Sequence, residues 1–312
     1  MAAPDLDTTN VKAIAVKSYF EGLLIPNDGV ITNVLTYRDD DVASLRIAAL
    51  TGIPDIGAWS GDLTPVNINS TGASTLQYAA MGVSVEMSMF DIQDIPGLVS
   101  MAARKLGVSV ASTRAKLAFD LLAASFTDTI ADGEAVCATG HTMTSGTRSN
   151  KGTTALDMSA FSAAILAIRG WQNYQTQIYD WADMPKFLVV PPALEQTARQ
   201  ILGSPYQVTS AVWNAVGSEA TASPAGSQGL INTAGLYNTT VVVNPYASDA
   251  NDWLLIADPS FGNPYNYWDR AKPDFHVLVE DQDSMKTKLR VTYASKAQSG
   301  PQPDGVFGSS VS

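Results

Sequence analysis

Two histidines, one cysteine and a few short acidic runs are the side chains in this 312-residue sequence that could organise catalysis or hold a metal. Cys137 precedes His141 in a Gly/Thr/Ser-rich stretch, a spacing that admits a Cys-His dyad or half of a metal site. Zinc requires three or four ligands with matched spacing, and the chain has no second cysteine to supply them. No metal and no cofactor is therefore expected, and replacing Cys137 and His141 together is expected to have little effect. His276 lies between Phe275 and Val277, where a packed or edge histidine is a better reading than a base. Carboxylates recur at Asp39-Asp40-Asp41, at Asp91 with Asp94 and at Asp281 with Asp283. Such pairs serve glycoside hydrolysis when held about 5 to 9 Å apart, but clusters this short read as solvated turns. Ser145 to Gly152 resembles a phosphate loop without its Gly-Lys-Ser/Thr order, and no glycine-flanked serine nucleophile is present. No catalytic residue is assigned. The competing reading is a secreted-type carbohydrate-active or hydrolytic enzyme, motivated by a neutral polar surface, the acidic pairs and the aromatics Tyr265, Tyr267 and Trp268.

The elements that would position these residues follow from hydrophobic period. Val83, Val85, Met87 and Met89 alternate with Ser84, Glu86 and Ser88, which predicts a strand with one buried face. Trp59 to Gly72 carries turn residues at both ends and reads as the outgoing strand of a long hairpin. From Ile95 the period becomes helical, with Leu98, Val99, Ala102, Ala103 and Leu106 on one face, Pro96 in the first turn and Gly107 as a candidate kink. Arg114, Lys116 and Asp120 are expected to face outward. Thr127 to Thr154 reads as a polar loop, functional or mobile at that length. Phe187 to Leu202 reads as a buried strand that stops at Pro191-Pro192 and turns into an amphipathic helix with no nucleophile at the turn. Thr239 to Tyr246 and Asp252 to Asp258 form a second apolar pair, and Phe275 to Glu280 and Lys288 to Tyr293 two further strands. The tail Ser299 to Gly305 reads as mobile or docked.

Composition narrows the function class. A formal charge of −11 opposes non-specific adhesion to phosphate backbones. Hydrophobic residues reach 46% while charged residues are 16%, below the roughly one quarter typical of soluble domains; subunit contacts or a Ser/Thr/Asn-rich surface would each account for that. A lone cysteine fits a reducing compartment. Neither a signal peptide nor a run of the roughly eighteen apolar residues needed for a membrane span is evident. Arg38 and Arg46 flank Asp39, Asp40 and Asp41, a charge-pairing candidate between subunits or an exposed turn.

Trp59-Ser-Gly61, Asp94-Ile-Pro96, the Ala-rich helix, the Pro191-Pro192 turn, Trp253-Leu-Leu and Lys272-Pro-Asp-Phe275 occur in an order that resembles the major head subunit family of Mu-type tailed phages. The likeness runs from about Ala58 to Arg290. It implies an α+β chain of the Hong Kong 97-type capsid fold. The segments implied are an N-terminal arm and lead-in over 1–50, an extended hairpin loop over 51–91, and a peripheral domain with a long spine helix over 92–152. An axial domain over 153–272 and C-terminal strands returning to the peripheral domain over 273–312 complete the set. It further implies a structural protein that self-assembles into pentamers and hexamers of an icosahedral head enclosing double-stranded DNA. Scaffold, portal, protease and decoration proteins are the implied partners, with assembly in the host cytoplasm and residence in the virion. Contacts between subunits are then expected at Trp59, Asp62, Arg38, Asp39, Asp40, Asp41 and Arg46.

Overall fold

The computed structural model describes residues 8–24, 29–42, 44–50, 70–95, 97–143, 146–171, 186–203, 234–259, 264–279 and 286–311. The chain forms two compact units, each discontinuous in sequence. The first comprises Met1–Arg46, Thr75–Ala118 and Asn266–Gln298; the second comprises Ile47–Ser74, Phe119–Tyr265 and Ser299–Ser312.

The first unit is built on a sheet of β1 (Thr36–Asp39), β11 (Tyr265–Val279), β12 (Lys286–Ser299) and β4 (Ala79–Ser88), in that order. β1 runs parallel to β11, and β4 is antiparallel to β12 over ten paired residues from Ser88↔Lys286 to Ala79↔Ser295. Alternation decides which face is buried. Leu289, Val291 and Tyr293 of β12 join Met87 of β4 against Ala15 and Tyr19 of α1 (Thr8–Leu23) and Val99, Ala103, Leu106 and Val110 of α3 (Leu98–Ala123). The burial of Met87 and partial burial of Val85 follow the expected alternation, but Val83 is 43% exposed and Met89 opens the short α2 (Met89–Asp94). α3 is one uninterrupted helix of 26 residues that starts at Leu98 rather than Ile95. Gly107 does not break it. A Cβ there would overlap the Tyr19 carbonyl, and one on Gly22 would overlap the Arg104 carbonyl. The two glycines let α1 and α3 approach backbone to backbone.

In the second unit a five-stranded sheet has the order β7 (Lys151–Gly152), β13 (Val306–Ser309), β10 (Trp253–Ile256), β8 (Phe187–Val190) and β9 (Thr240–Val243). All four residues of β8 and of β10 are buried, as expected of a central strand covered on both faces. Leu188, Val190, Trp253 and Leu255 pack against Phe161, Ala164, Ile165 and Ile168 of α4 (Met158–Arg169) and Ala198 and Ile201 of α5 (Glu195–Gly203). The strand-to-helix turn after β8 takes the expected form: Pro191 ends the strand and a single 3-10 turn, Pro192–Leu194, leads into α5.

Two expectations are corrected here, and one left open is decided. Residues 127–154 are not structureless among the described positions: they carry the bridge Thr129↔Ala135 and the pair β5 (His141–Thr142) with β6 (Thr147–Arg148). The C-terminal tail is docked, because Gly300 N–H donates to the Pro264 carbonyl at 2.5 Å and β13 pairs with β10. Arg114 turns inward, as described below. β3 (Ser70–Gln77) pairs with β2 (Ser44–Leu50); residues 51–69, including most of the expected outgoing strand, lie outside the described residues.

Candidate assembly surface and buried polar clusters

Strand β1 delivers the charged segment singled out in the sequence. Its parallel register with β11 sets Tyr37 beside Tyr267, Arg38 beside Trp268 and Asp39 beside Asp269. Consecutive side chains on a strand point to opposite faces, and each finds a partner on β11. The Arg38 guanidinium lies over the Trp268 ring at 5.0 Å, and Asp39 meets Lys272 at 2.5 Å. Asp40 N–H donates to the Asp269 carbonyl at 3.0 Å, while its own carboxylate accepts from Val42 N–H at 3.3 Å. Asp41 and Arg46 are exposed. Within the chain, Arg38 and Asp39 therefore meet side chains of β11. Trp59, Asp62, Asp281 and Asp283 lie outside the described residues.

The polar cluster that sequence reasoning missed is beneath β1. Arg114 of α3 donates to Asp269 Oδ2 at 2.5 Å, and Tyr37 OH donates to the same oxygen at 3.0 Å. The Asp269 side chain has no exposure and that of Arg114 only 12%. The guanidinium also lies 5.6 Å from the centre of the Tyr267 ring. Burial pushes the Asp269 carboxyl above its ordinary range, and Arg114 and the Tyr37 hydroxyl pull against that shift. Arg114 sits on a predicted helix among polar neighbours, so its period gives no sign of burial; an Asp directly after the aromatic run Tyr265-Asn-Tyr-Trp268 is the available signal.

In the second unit, Cys137 and His141 are both buried but are not partners. His141 Nδ1 lies 2.7 Å from Asp132 Oδ2 and Nε2 3.1 Å from Asn150 Oδ1. Burial pushes the Cys137 thiol well up, which disfavours the nucleophilic thiolate. His276 is exposed beside Asp274 at 2.8 Å. Among the described residues, no three His, Cys, Asp or Glu side chains converge as metal ligands, and no helix is long and apolar enough to cross a membrane. A cavity lined by Leu122, Phe126, Val189, Asn244, Asp252 and Leu254 holds about 30 Å³, room for about one water. The first unit also presents exposed apolar side chains. Val16 and Phe20 on α1 and Leu24 just past its end recur every fourth residue and are 38%, 52% and 83% exposed.

The sequence matches the phage capsid protein family over residues 68–307. No curated protein is matched by sequence. Among solved structures, the capsid of bacteriophage JBD30 aligns with TM-score 0.50 at 10% identity, over 92% of this chain. The chain spans 65% of that longer subunit. The capsid of cyanophage P-SCSP1u aligns with TM-score 0.54 at 9% identity, covering 90% of this chain and 87% of that one. A virus-like particle from Pyrococcus furiosus aligns with TM-score 0.53 at 10% identity, covering 96% and 98%. The fold common to these is the Hong Kong 97-type capsid fold.

Proposed function

The chain belongs to the phage capsid protein family, and on that premise we propose that many copies of it close into the icosahedral head of a tailed phage through pentamers and hexamers around double-stranded DNA. The family is structural, so the hydrolase alternative falls away. The observation that carries the reading is the family match from residue 68 to residue 307, which takes in α3 and most of both sheets. A charge of −11 is compatible with enclosing DNA without adhering to it. Shell subunits need unlike surfaces on their two sides, because closed rings grow by heterologous contacts.

We further propose that the first unit is the peripheral domain, with α3 its spine, and the second the axial domain. The extended hairpin loop expected over 51–91 would carry Trp59 and Asp62 to a neighbouring copy. Exposed Asp41 and Arg46 would take part in contacts between subunits, as would Arg38, Asp39 and Asp40 at the β1 edge. The order of motifs supports membership of the Mu-type branch, with scaffold, portal, protease and decoration proteins as partners. Sedimentation velocity of the purified chain tests the reading. Megadalton particles or ring oligomers are expected; a monomer that persists at high concentration would contradict it.

A further inference from the structure

Charge is divided unevenly between the two units. The first holds 14 of the 19 Lys and Arg residues and 15 of the 30 Asp and Glu residues, so it is nearly neutral. The second holds the other 5 and 15, and with them almost all of the formal charge of −11. Copies that are all this acidic repel one another, and a shell must set many of them side by side. Within the first unit, cations gather on one surface. Burial alternates along β12: Leu289, Val291, Tyr293 and Ser295 are buried, while Lys286, Lys288, Arg290 and Lys296 project from the opposite face. Neighbouring β11 repeats the pattern, with Phe275 and Val277 packed on the helices and Arg270 and Lys272 exposed on the other side. Glu86 of edge strand β4 lies 3.5 Å from Lys286 Nζ and 3.0 Å from Lys288 Nζ, Asp39 pairs with Lys272, and Asp274 with His276. These six Lys and Arg side chains thus meet three carboxylates among the described residues, and the face stays positive.

We infer that this cationic sheet face is the seat for the acidic second unit of a neighbouring copy, an inference that rests on the chain closing into a shell. Charge chooses the partner. Two copies cannot meet through this face on both sides, because cations would then oppose cations, and like charges set across an interface are costly. Basic face to acidic unit is a heterologous contact, which repeats from copy to copy around a ring. Asp120, Glu134 and Asp157 are exposed carboxylates of the second unit. The shape of the face favours protein over nucleic acid. Beside Lys288 and Arg290 it is grooved, with Gly82, Val83 and Leu278 in the walls, and Leu278 is 46% exposed. Aliphatics beside cations suit a protein surface that brings apolar side chains along with its carboxylates; a phosphate backbone offers charge alone. Since the charges lie at the surface, added salt weakens the contact.

The test compares the full-length chain with its Lys288→Glu, Arg290→Glu double variant. Sedimentation velocity at low salt is expected to show particles or rings for the parent and a folded monomer, with unchanged thermal midpoint, for the variant. The charge-conserving Lys288→Arg, Arg290→Lys variant should assemble as the parent does. Raising salt from about 0.05 to 0.5 M should increase the protein concentration needed for assembly about tenfold. Carbodiimide, which joins an amine to a carboxylate in contact with it, is applied to parent particles made from mixed 14N and 15N chains. Links of mixed label from Lys286, Lys288 or Lys296 to carboxylates of the second unit are expected, and they decide the matter even where the double variant does not fold. A parent that never assembles would contradict the shell itself. Where the parent assembles, equal assembly of the double variant, or mixed-label links confined to other lysines, would overturn this seat alone. Unchanged assembly with loss of salt-dependent retention on double-stranded DNA would give the face to nucleic acid and overturn it as well.

Discussion

Arg114 and Asp269 show how much a single buried charge can demand of its neighbours. Desolvating both costs more than an exposed pair would, and the attraction is recovered only because the geometry is close and Tyr37 adds a second donor. Removing one partner leaves the other uncompensated. Arg114→Ala is therefore expected to destabilise the subunit by about 3–5 kcal/mol, whereas the volume-matched double change Arg114→Met with Asp269→Leu should recover most of that loss. Chemical denaturation of the three proteins checks this; equal losses in single and double variants would count against the pairing. Cys137 carries a second prediction at this scale. Its thiol is buried and pushed well above the ordinary range by desolvation, so alkylation at pH 8 should be negligible in the folded chain and complete in denaturant. Rapid native labelling would place it near the surface. Neither role was legible in the sequence. Arg114 falls among residues that alternate with charged neighbours on a helix, and Cys137 and His141 sit in a Gly/Thr/Ser-rich stretch that reads as an exposed loop. Burial of those residues is decided by contacts with Asn150 and with strand β13, which no local pattern in the sequence shows.

At the level of elements, the period-2 and period-3.6 signals were sound where one face is buried, as at Val85 and Met87 in β4 and Val99, Ala103 and Leu106 in α3. They were silent where order comes from polar contacts. Strand β13 is Val306-Phe-Gly-Ser309, short and glycine-containing, and it exists because β10 and β7 accept it on both sides. Gly107 reads as a candidate kink because sequence alone shows the loss of a side chain and not the Tyr19 carbonyl that fills its place. In an isolated helix Gly→Ala gains about 1 kcal/mol. Here the added methyl overlaps backbone, which cannot swing aside as a side chain can, and overpacking costs about 1–3 kcal/mol. Gly107→Ala should therefore lower the thermal midpoint and loosen α1; a raised midpoint would mean α1 does not rest on α3. Trp253 is 1% exposed in central β10 and its indole N–H donates to the Thr154 carbonyl at 3.1 Å. Trp253→Ala is expected to cost about 3–5 kcal/mol, and an unchanged midpoint would refute its place in the core.

The whole molecule is two units assembled from alternating stretches of one chain, so neither unit is completed until residues near the C-terminus have joined their sheets. Strand β12 packs with α3 in the first unit although it is separated from that helix by more than 140 residues of chain. The outward apolar stripe of α1 and the low charge content are costly on an isolated subunit and useful on one that associates. Deleting Gly61–Gly72 is expected to leave a folded subunit, with an unchanged thermal midpoint, that fails to close shells. The most direct measurement is electron cryomicroscopy of particles formed by the full-length chain. Closed icosahedral shells built from five- and six-membered rings are predicted. A population confined to monomers, or to open filaments that never close, would contradict the account.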